Sequence, residues 1–501
     1  MKKLNAQSAV IENEYLDQDF SAEFSRFYST VFRRFSKVCR RLHFFSEDIG
    51  ATLRLNDPQK LSDSLQDIGN RSYLGFAVVR PLRHAPLGRT VLVAPISPSD
   101  RRSKLLVRAS YSVHLLGAEL RVEGFPYVQQ DSRISSCAQA TIWMAGRHFY
   151  TKHKGPWFAT VDISEAASQP TDTTLAQSLP AGSGGLNTNN MVRALRAMGR
   201  EPLSYLAKID NSGAPPKIDW GSKLRPHEII ARYVDSGVPV ILGIAPWEID
   251  QTLWHAVVAI GHTTRTLDSQ SGLPDHPTRA EFLDAFLVND DQRGVSLRMP
   301  IVASAGDTPY SLENVGYLIV PLPKKVFINA ESAERIAWQL VDANFQSIWS
   351  QLKAQFAAQI ASCVQDGDDF LSKISRGELV ARTYLTFGWK YKARILRNCV
   401  SDVVKRVASR HEFPKFVWVT EFGSVDALNK LEAKDRLIIS HSVIDATSSN
   451  YWEAACLFHA PGFVIRWFSD PKNPTGDLTY EVSIVPDNPG YQPKIRGQLT
   501  A

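Results

Sequence analysis

Between residue 125 and about residue 322 the chain runs through helical segments first and strands afterwards, and that order restricts the fold more than any other feature of the 501 residues. The first helical segment begins near Cys137, in SSCAQATIWMAGRHFY, where Ala138, Ile142, Ala145 and Phe149 give one apolar face. The second is LNTNNMVRALRAMG, with Leu195 and Met198 four and seven residues after Met191 and Gly199 as its stop. The third is PHEIIARYVDSG, opened by Pro226 and closed by Gly237. The segments VPVILGIA, HAVVAIG, FLVND, VSLRMPI and VGYLIVPL then read as strands. A helical half followed by a strand-rich half is an α+β order and excludes alternating βαβ units.

The flanks have a different texture. The first sixty or so residues read as helical, with Phe24, Phe27, Tyr28, Phe32 and Phe35 three to four apart. Short β-type runs follow, in SYLGFAVVRPL, GRTVLVAPI, KLLVRASYSVHLLG and AELRVEG, and end near Gly124. Past VPLPKK, residues 326–410 read as mainly helical, and 414–490 carry strand-like runs such as KFVWVTE, RLIISHSVID, GFVIRWF and YEVSIVP. A chain this long exceeds one ordinary core. The expected division is an N-terminal helical then β-rich region over 1–124, a middle domain over 125–324, and a C-terminal α/β domain over 325–501.

Composition narrows the class. A hydrophobic share of 44% beside 22% charged residues is that of a soluble globular protein. The start, MKKLNAQSAVIENEYLDQDF, has no apolar stretch of signal-peptide length, and no run of about 18 apolar residues occurs, so no membrane association is expected. Five cysteines (Cys39, Cys137, Cys363, Cys399 and Cys456) are odd in number and lack CxxC spacing. That argues against a disulfide framework or a zinc site and for a reducing, cytoplasmic compartment. The net charge of +6 gathers in two stretches read as helical, Arg33-Arg34-Lys37-Arg40-Arg41 and Lys390-Lys392-Arg394-Arg397. With no nucleic-acid motif beside them, they read as solvated faces or interdomain contacts, and no nucleic-acid partner is expected.

Cys137 stands apart from the other four cysteines because of its neighbours. Ser135 and Ser136 are N-cap candidates, which would put Cys137 in the first turn of a helix, where free N–H groups and the helix dipole favour a thiolate. His255 opens the strand HAVVAIGH directly after the loop PWEIDQTLW, where a ring can face a cleft and take the thiol proton. His262, at the far end of that strand, is a weaker candidate. Asp290 ends the strand FLVND 35 residues after His255, placed to accept Nδ1–H from the histidine, with Asn289 and Asp291 as competing choices. Upstream, Gln129, Gln130 or Asp131 can point into the same site, and a glutamine amide there would donate to an oxyanion. The Gly/Ser/Thr-rich segment 168–185 reads as a lid, an activation segment or a plain surface insertion.

This order of glutamine, cysteine, histidine and aspartate resembles the papain-like cysteine peptidases. Within them it is most similar to the bacterial peptidases that process bacteriocins after double-glycine leaders, and to their stand-alone relatives. The matching stretches are QQDSRISSCAQA, GLNTNNMVRALRAMG, GVPVILGI, HAVVAIG and VNDDQRG, over about two-fifths of the chain. The resemblance implies a papain-like core, with Cys137 as nucleophile, His255 as base, Asp290 as the residue orienting it and Gln130 in the oxyanion hole. Three departures affect cleft width and substrate choice. The family glutamine lies six before the cysteine, a position held here by Asp131; Ala138 replaces a glycine; and Asp291 replaces a proline.

The expected function is a cysteine peptidase or isopeptidase that cleaves a peptide amide through a thioester and needs no metal or organic cofactor. Its expected partners are a protein or peptide substrate and a regulatory protein. Two other outcomes use the same residues: an acyltransferase that passes the thioester to an amine, and a catalytically silent domain that binds a protein or peptide. No P-loop or membrane exporter accompanies the site, so leader processing during export does not carry over.

Overall fold

The computed structural model describes residues 4–94, 102–131, 136–168, 186–213, 215–248, 253–265, 273–398, 400–428, 437–469 and 478–492. The protein is a mixed α+β fold with antiparallel sheets. The first sheet joins β1 (Ser8–Tyr15), β2 (Cys39–Phe45), β3 (Tyr73–Val79) and β4 (Leu87–Leu92) in that order.

The helical reading of the first sixty residues therefore fails for two strands. Helix occurs there in α1 (Gln18–Glu23), its π-helical continuation Phe24–Tyr28, a short 3₁₀ turn, and the start of α2 (Pro58–Ser72). In β1 the half-buried face includes Glu12, a polar residue that hides the strand alternation; it is paired with Arg41 and lies 2.9 Å from His43 Nε2, both on β2. Of the first basic cluster, Arg33, Arg34 and Lys37 lie in non-helical chain and Arg40 and Arg41 lie on β2, so it is not a basic helix. Helix α2 is capped by Asp57 and carries proline at its start.

β5 (Ser103–Leu105) crosses out of this region, ahead of the hairpin β6 (Ala109–Leu115) and β7 (Ala118–Gly124). It joins a second, seven-stranded sheet built from β8 (Arg200–Leu206), β11 (Val240–Ile244), β12 (His255–Thr264), β13 (Leu283–Asp290), β14 (Gly294–Pro300) and β15 (Val315–Pro323). A small ribbon, β9 (Lys208–Asp210) with β10 (Lys217–Asp219), lies beside it in sequence. The order across the sheet is β14-β13-β12-β11-β15-β8, and β5 takes over from β11 along the second half of β12.

Four helices precede or interrupt this sheet: α3 (Cys137–His153), α4 (Thr160–Ala167), α5 (Thr188–Ala197) and α6 (Pro226–Asp235). α3 is buried at every residue from Ala138 to Phe149, including Gln139, Arg147 and His148. The single apolar face read from its sequence is thus an understatement, because α3 is a central helix covered on all sides. Of its polar members, Arg147 pairs with Asp19 of α1 and donates to Phe158 O at 2.9 Å. β12 is buried at all ten positions, which is why HAVVAIGHTT is nearly continuous in small and apolar residues.

The C-terminal region contains helices α7 (Ala330–Gln339), α8 (Phe345–Gln355), α9 (Val364–Ser375), α10 (Gly388–Arg397) and α11 (Asp402–Arg410). Its sheet is a six-stranded meander of β16 (Leu379–Phe387), β17 (Phe416–Ser424), β18 (Ser440–Asp445), β19 (Ala455–Ala460), β20 (Gly462–Ser469) and β21 (Leu478–Val485). Every pairing in it is antiparallel, so this region is α+β and not α/β in the strict sense. β16 lies inside the stretch read as helical. One apolar cluster runs without a break from Leu106 to Ile465. Polar contacts stitch the same seam: Arg382 of β16 donates to Asp235 of α6 at 2.6 Å, and Thr383 donates to Glu334 of α7 at 2.7 Å. Among the described residues, no helix is long and apolar enough to cross a membrane.

Candidate functional site

Cys137 is the first residue of α3, behind Ser136 as N-cap. Gln139 reaches back, and its Oε1 accepts from Ser136 N–H at 3.1 Å, which fixes the start of the helix. Cys137 is half-exposed, whereas Cys39, Cys363 and Cys456 are buried. Burial pushes the Cys39 thiol up to about 12 and also raises Cys363 and Cys456. Ser135 and Cys399 lie outside the described residues, as does nearly all of segment 168–185.

His255 opens β12 beside α3; its ring pairs with Asp290 and lines the same cleft as Cys137, whose Sγ lies 4.0 Å from Trp254 O. Its Nε2 lies 3.0 Å from Asp290 Oδ1. The sequence puts Nδ1 against the carboxylate; in the structure Nε2 holds that position. Burial acts to lower the His255 pKa but is overcome by Asp290, Cys137 and Asp291 around the ring, so the value is raised to about 10.

Asp290 ends β13 with no solvent exposure. Burial would raise its pKa, yet the value is lowered because donors surround the carboxylate. Oδ1 accepts from His255, from Gln292 N–H at 2.9 Å and from Arg293 N–H at 3.2 Å, and Oδ2 accepts from Tyr310 O–H at 2.6 Å. A buried carboxylate supplied in this way stays ionised without a full desolvation penalty.

The competing residues are placed elsewhere. Asn289 donates to Pro126 O at 3.3 Å and accepts from Ser296 N–H at 2.8 Å, so it ties loops together. Asp291 is fully buried, and its carboxylate oxygens have no hydrogen-bond partner; the nearer one is 3.9 Å from His255 Nε2. Burial raises Asp291 to about 7. His262 is buried against Asp235 at 2.9 Å. Gln129 is bound through its backbone to Leu87 and Arg80 and through its side chain to Leu87, and Asp131 is buried near Glu23. Gln130 is the one of the three that lines the cleft with Cys137 and His255.

That cleft has a volume of about 1090 Å³. Its floor is aromatic, a feature the sequence did not disclose. Trp254 stacks on Tyr317 with ring centroids 5.9 Å apart, and Gly316 leaves room for the indole, since a Cβ there would come within 2.5 Å of it. Trp247 and Tyr310 pack behind His255, with centroids 5.1 Å apart. Leu206 and Leu253 add exposed apolar rim. Tyr310 comes from a loop before β15, and no local pattern marks it as a partner for Asp290.

Among the described residues, His255, Asp290 and Asp291 offer ligand atoms close enough to hold a metal ion, as do His227, Glu228 and Glu281. In the first group the Asp290 oxygens are already taken by donors, and a cation there would have to displace His255 or Tyr310. Chemically the arrangement is better suited to an imidazole held by a buried carboxylate in a cleft that also exposes the Cys137 thiol. No family model matches the chain, and no curated protein matches it in sequence.

Proposed function

We propose that the chain is a papain-like cysteine peptidase or isopeptidase acting in the cytoplasm on a protein or peptide substrate. The observation that carries this reading is His255, held through Nε2 by the buried Asp290 in the same cleft as a thiol at the amino end of a central helix. An imidazole raised to about 10 stays protonated at neutral pH and favours the thiolate beside it.

In the proposed mechanism the Cys137 sulfur attacks the substrate carbonyl. The oxyanion is met by the Cys137 N–H, one of the unpaired donors of the first helical turn, and by the Gln130 amide from across the cleft. The His255 imidazolium gives its proton to the departing amine, leaving a thioester on Cys137 and a neutral ring. Water, deprotonated by His255, then attacks the thioester, releasing the acid and restoring the thiol pair. Asp290 keeps the ring oriented and stabilises its charged form throughout. The apolar, aromatic cleft suits a peptide side chain next to the scissile bond.

The test is incubation of the full chain with a diverse peptide library, including lysine-branched isopeptides, followed by mass spectrometry of products. Wild type should release fragments and Cys137→Ala none. Equal product from both proteins, or none from wild type across the whole library, would reject the reading.

A further inference from the structure

A second cavity, of about 540 Å³, opens where the middle region meets the C-terminal sheet. It lies at the carboxyl end of α3, whose amino end carries Cys137, roughly 22 Å away by helical rise. From α3 and its cap come Lys152 and Lys154, and from the start of β8 comes Arg200. Lys324 and Lys325 follow β15, and Lys390 and Lys415 arrive from the C-terminal region. No acidic residue lines the cavity.

Arg200 is the unusual member. It is only 7% exposed, its guanidinium sits 3.6 Å from the centre of the Phe149 ring, and no carboxylate among the described residues pairs with it. Burial alone accounts for its lowered pKa of about 10. Lys390, half-buried at the cavity wall, is likewise lowered by burial. A buried cation normally has a counter-charge, because desolvation otherwise goes uncompensated.

Helix dipoles do not supply it. The ends of α3, α5 and α6 meet at this cavity, marked by Lys154, Gly199 and Gly237 with positive φ. Each end contributes roughly half a negative charge, too little for the cations gathered here. The walls also carry an aromatic surface: Phe387 and Phe416 have centroids 5.1 Å apart, with Lys390 and Lys415 beside them.

We propose that this cavity binds a small soluble molecule carrying two or more phosphate groups, with buried Arg200 as its anchor and lysines from both regions closing on it. The volume fits a metabolite-sized ligand. The cations line a concave cavity around the buried Arg200 and not a flat face, which favours a small molecule over a polymer backbone or a membrane surface. The inference stands on its own observations and does not require the peptidase reading.

The experiment is titration calorimetry of the full chain at low salt with sodium tripolyphosphate and with ATP. Vesicles containing a phosphoinositide and a single-stranded oligonucleotide serve as alternative probes. Saturable binding of tripolyphosphate or ATP is expected, weakened roughly tenfold for each lysine removed in Lys325→Gln with Lys390→Gln. Both side chains lie at or near the surface, so the variant should keep its fold, checked by circular dichroism. Arg200→Gln should abolish binding; if it does not fold, the lysine pair decides. The charge-matched control Lys60→Gln with Lys373→Gln, outside the cavity, should bind as wild type does. The proposal is overturned by absence of saturable binding to both soluble phosphates, by equal weakening in the control pair, or by affinity confined to vesicles or oligonucleotide.

Discussion

His255 Nε2 lies 3.0 Å from Asp290 Oδ1, and that carboxylate is sealed from solvent beneath the ring. The histidine is raised to about 10, so its pairing contributes stability fully below its unfolded pKa, near 6.5, and loses it as pH climbs through about 10. Asparagine at 290 can still accept Nε2–H and the two backbone N–H groups, but it removes the charge. Asp290→Asn is therefore expected to keep the fold while lowering the His255 pKa by about one unit or more. Ring-proton NMR titration checks this; an unmoved His255 would show that Asp290 does not set its charge.

Tyr310 provides the donor on the far side of the same carboxylate. Tyr310→Phe leaves Asp290 Oδ2 buried without it, which should cost about 1–3 kcal/mol of stability. Urea unfolding of the two proteins at neutral pH measures the difference. No loss would mean that water or Arg293, whose Nε is 3.8 Å away, replaces the phenol.

Asp291 has the opposite sign. Its folded pKa is raised to about 7, so in the folded protein it stays protonated where the unfolded chain has ionised, and stability falls as pH rises from about 4 to about 7. Asp291→Asn escapes that loss, so its melting temperature should lie about 2–4 °C or more above wild type at pH 8 with little difference near pH 4. Calorimetric scans at the two pH values decide it. A larger gain at the acid end would reverse the sign of the argument.

Gly316 makes room for Trp254 on the cleft floor. Gly316→Ala should push the indole off Tyr317, visible as a shift in tryptophan emission. If the cleft binds substrate as proposed, KM should rise more than kcat falls. An unchanged emission spectrum would place the indole elsewhere in solution.

The parts of this structure that are legible in the sequence are those whose signal is local. Helices α3, α5 and α6 and strands β11 to β15 carry clear periodicity, caps or glycine stops, and each occurs near where it was read. Strand β1 is not legible because Glu12 faces the next strand, and its partners, Arg41 and His43, lie about thirty residues on. Strands β8 and β16 are not legible because REPLSYL carries a proline, and LVARTYLTF lies between helices in sequence. At the site, residue types and order lead to Cys137, His255, Asp290 and Gln130 as neighbours. Ring orientation, the Tyr310 donor, the Trp254–Tyr317 stack and the unpartnered Asp291 all arise from contacts across the sheet, and no window of sequence contains them.

The central claim is that Cys137 and His255 form a thiolate–imidazolium pair, and the most direct measurement is alkylation by iodoacetamide from pH 5 to 9. Mass-spectrometric mapping of all five cysteines would be run on wild type and His255→Ala. Cys137 should be labelled far faster than Cys39, Cys363 and Cys456, keep that lead at the acid end, and lose it in His255→Ala. Labelling of Cys137 no faster than that of the buried cysteines, or a lead that survives His255→Ala, would contradict the pair and with it the proposed catalytic role.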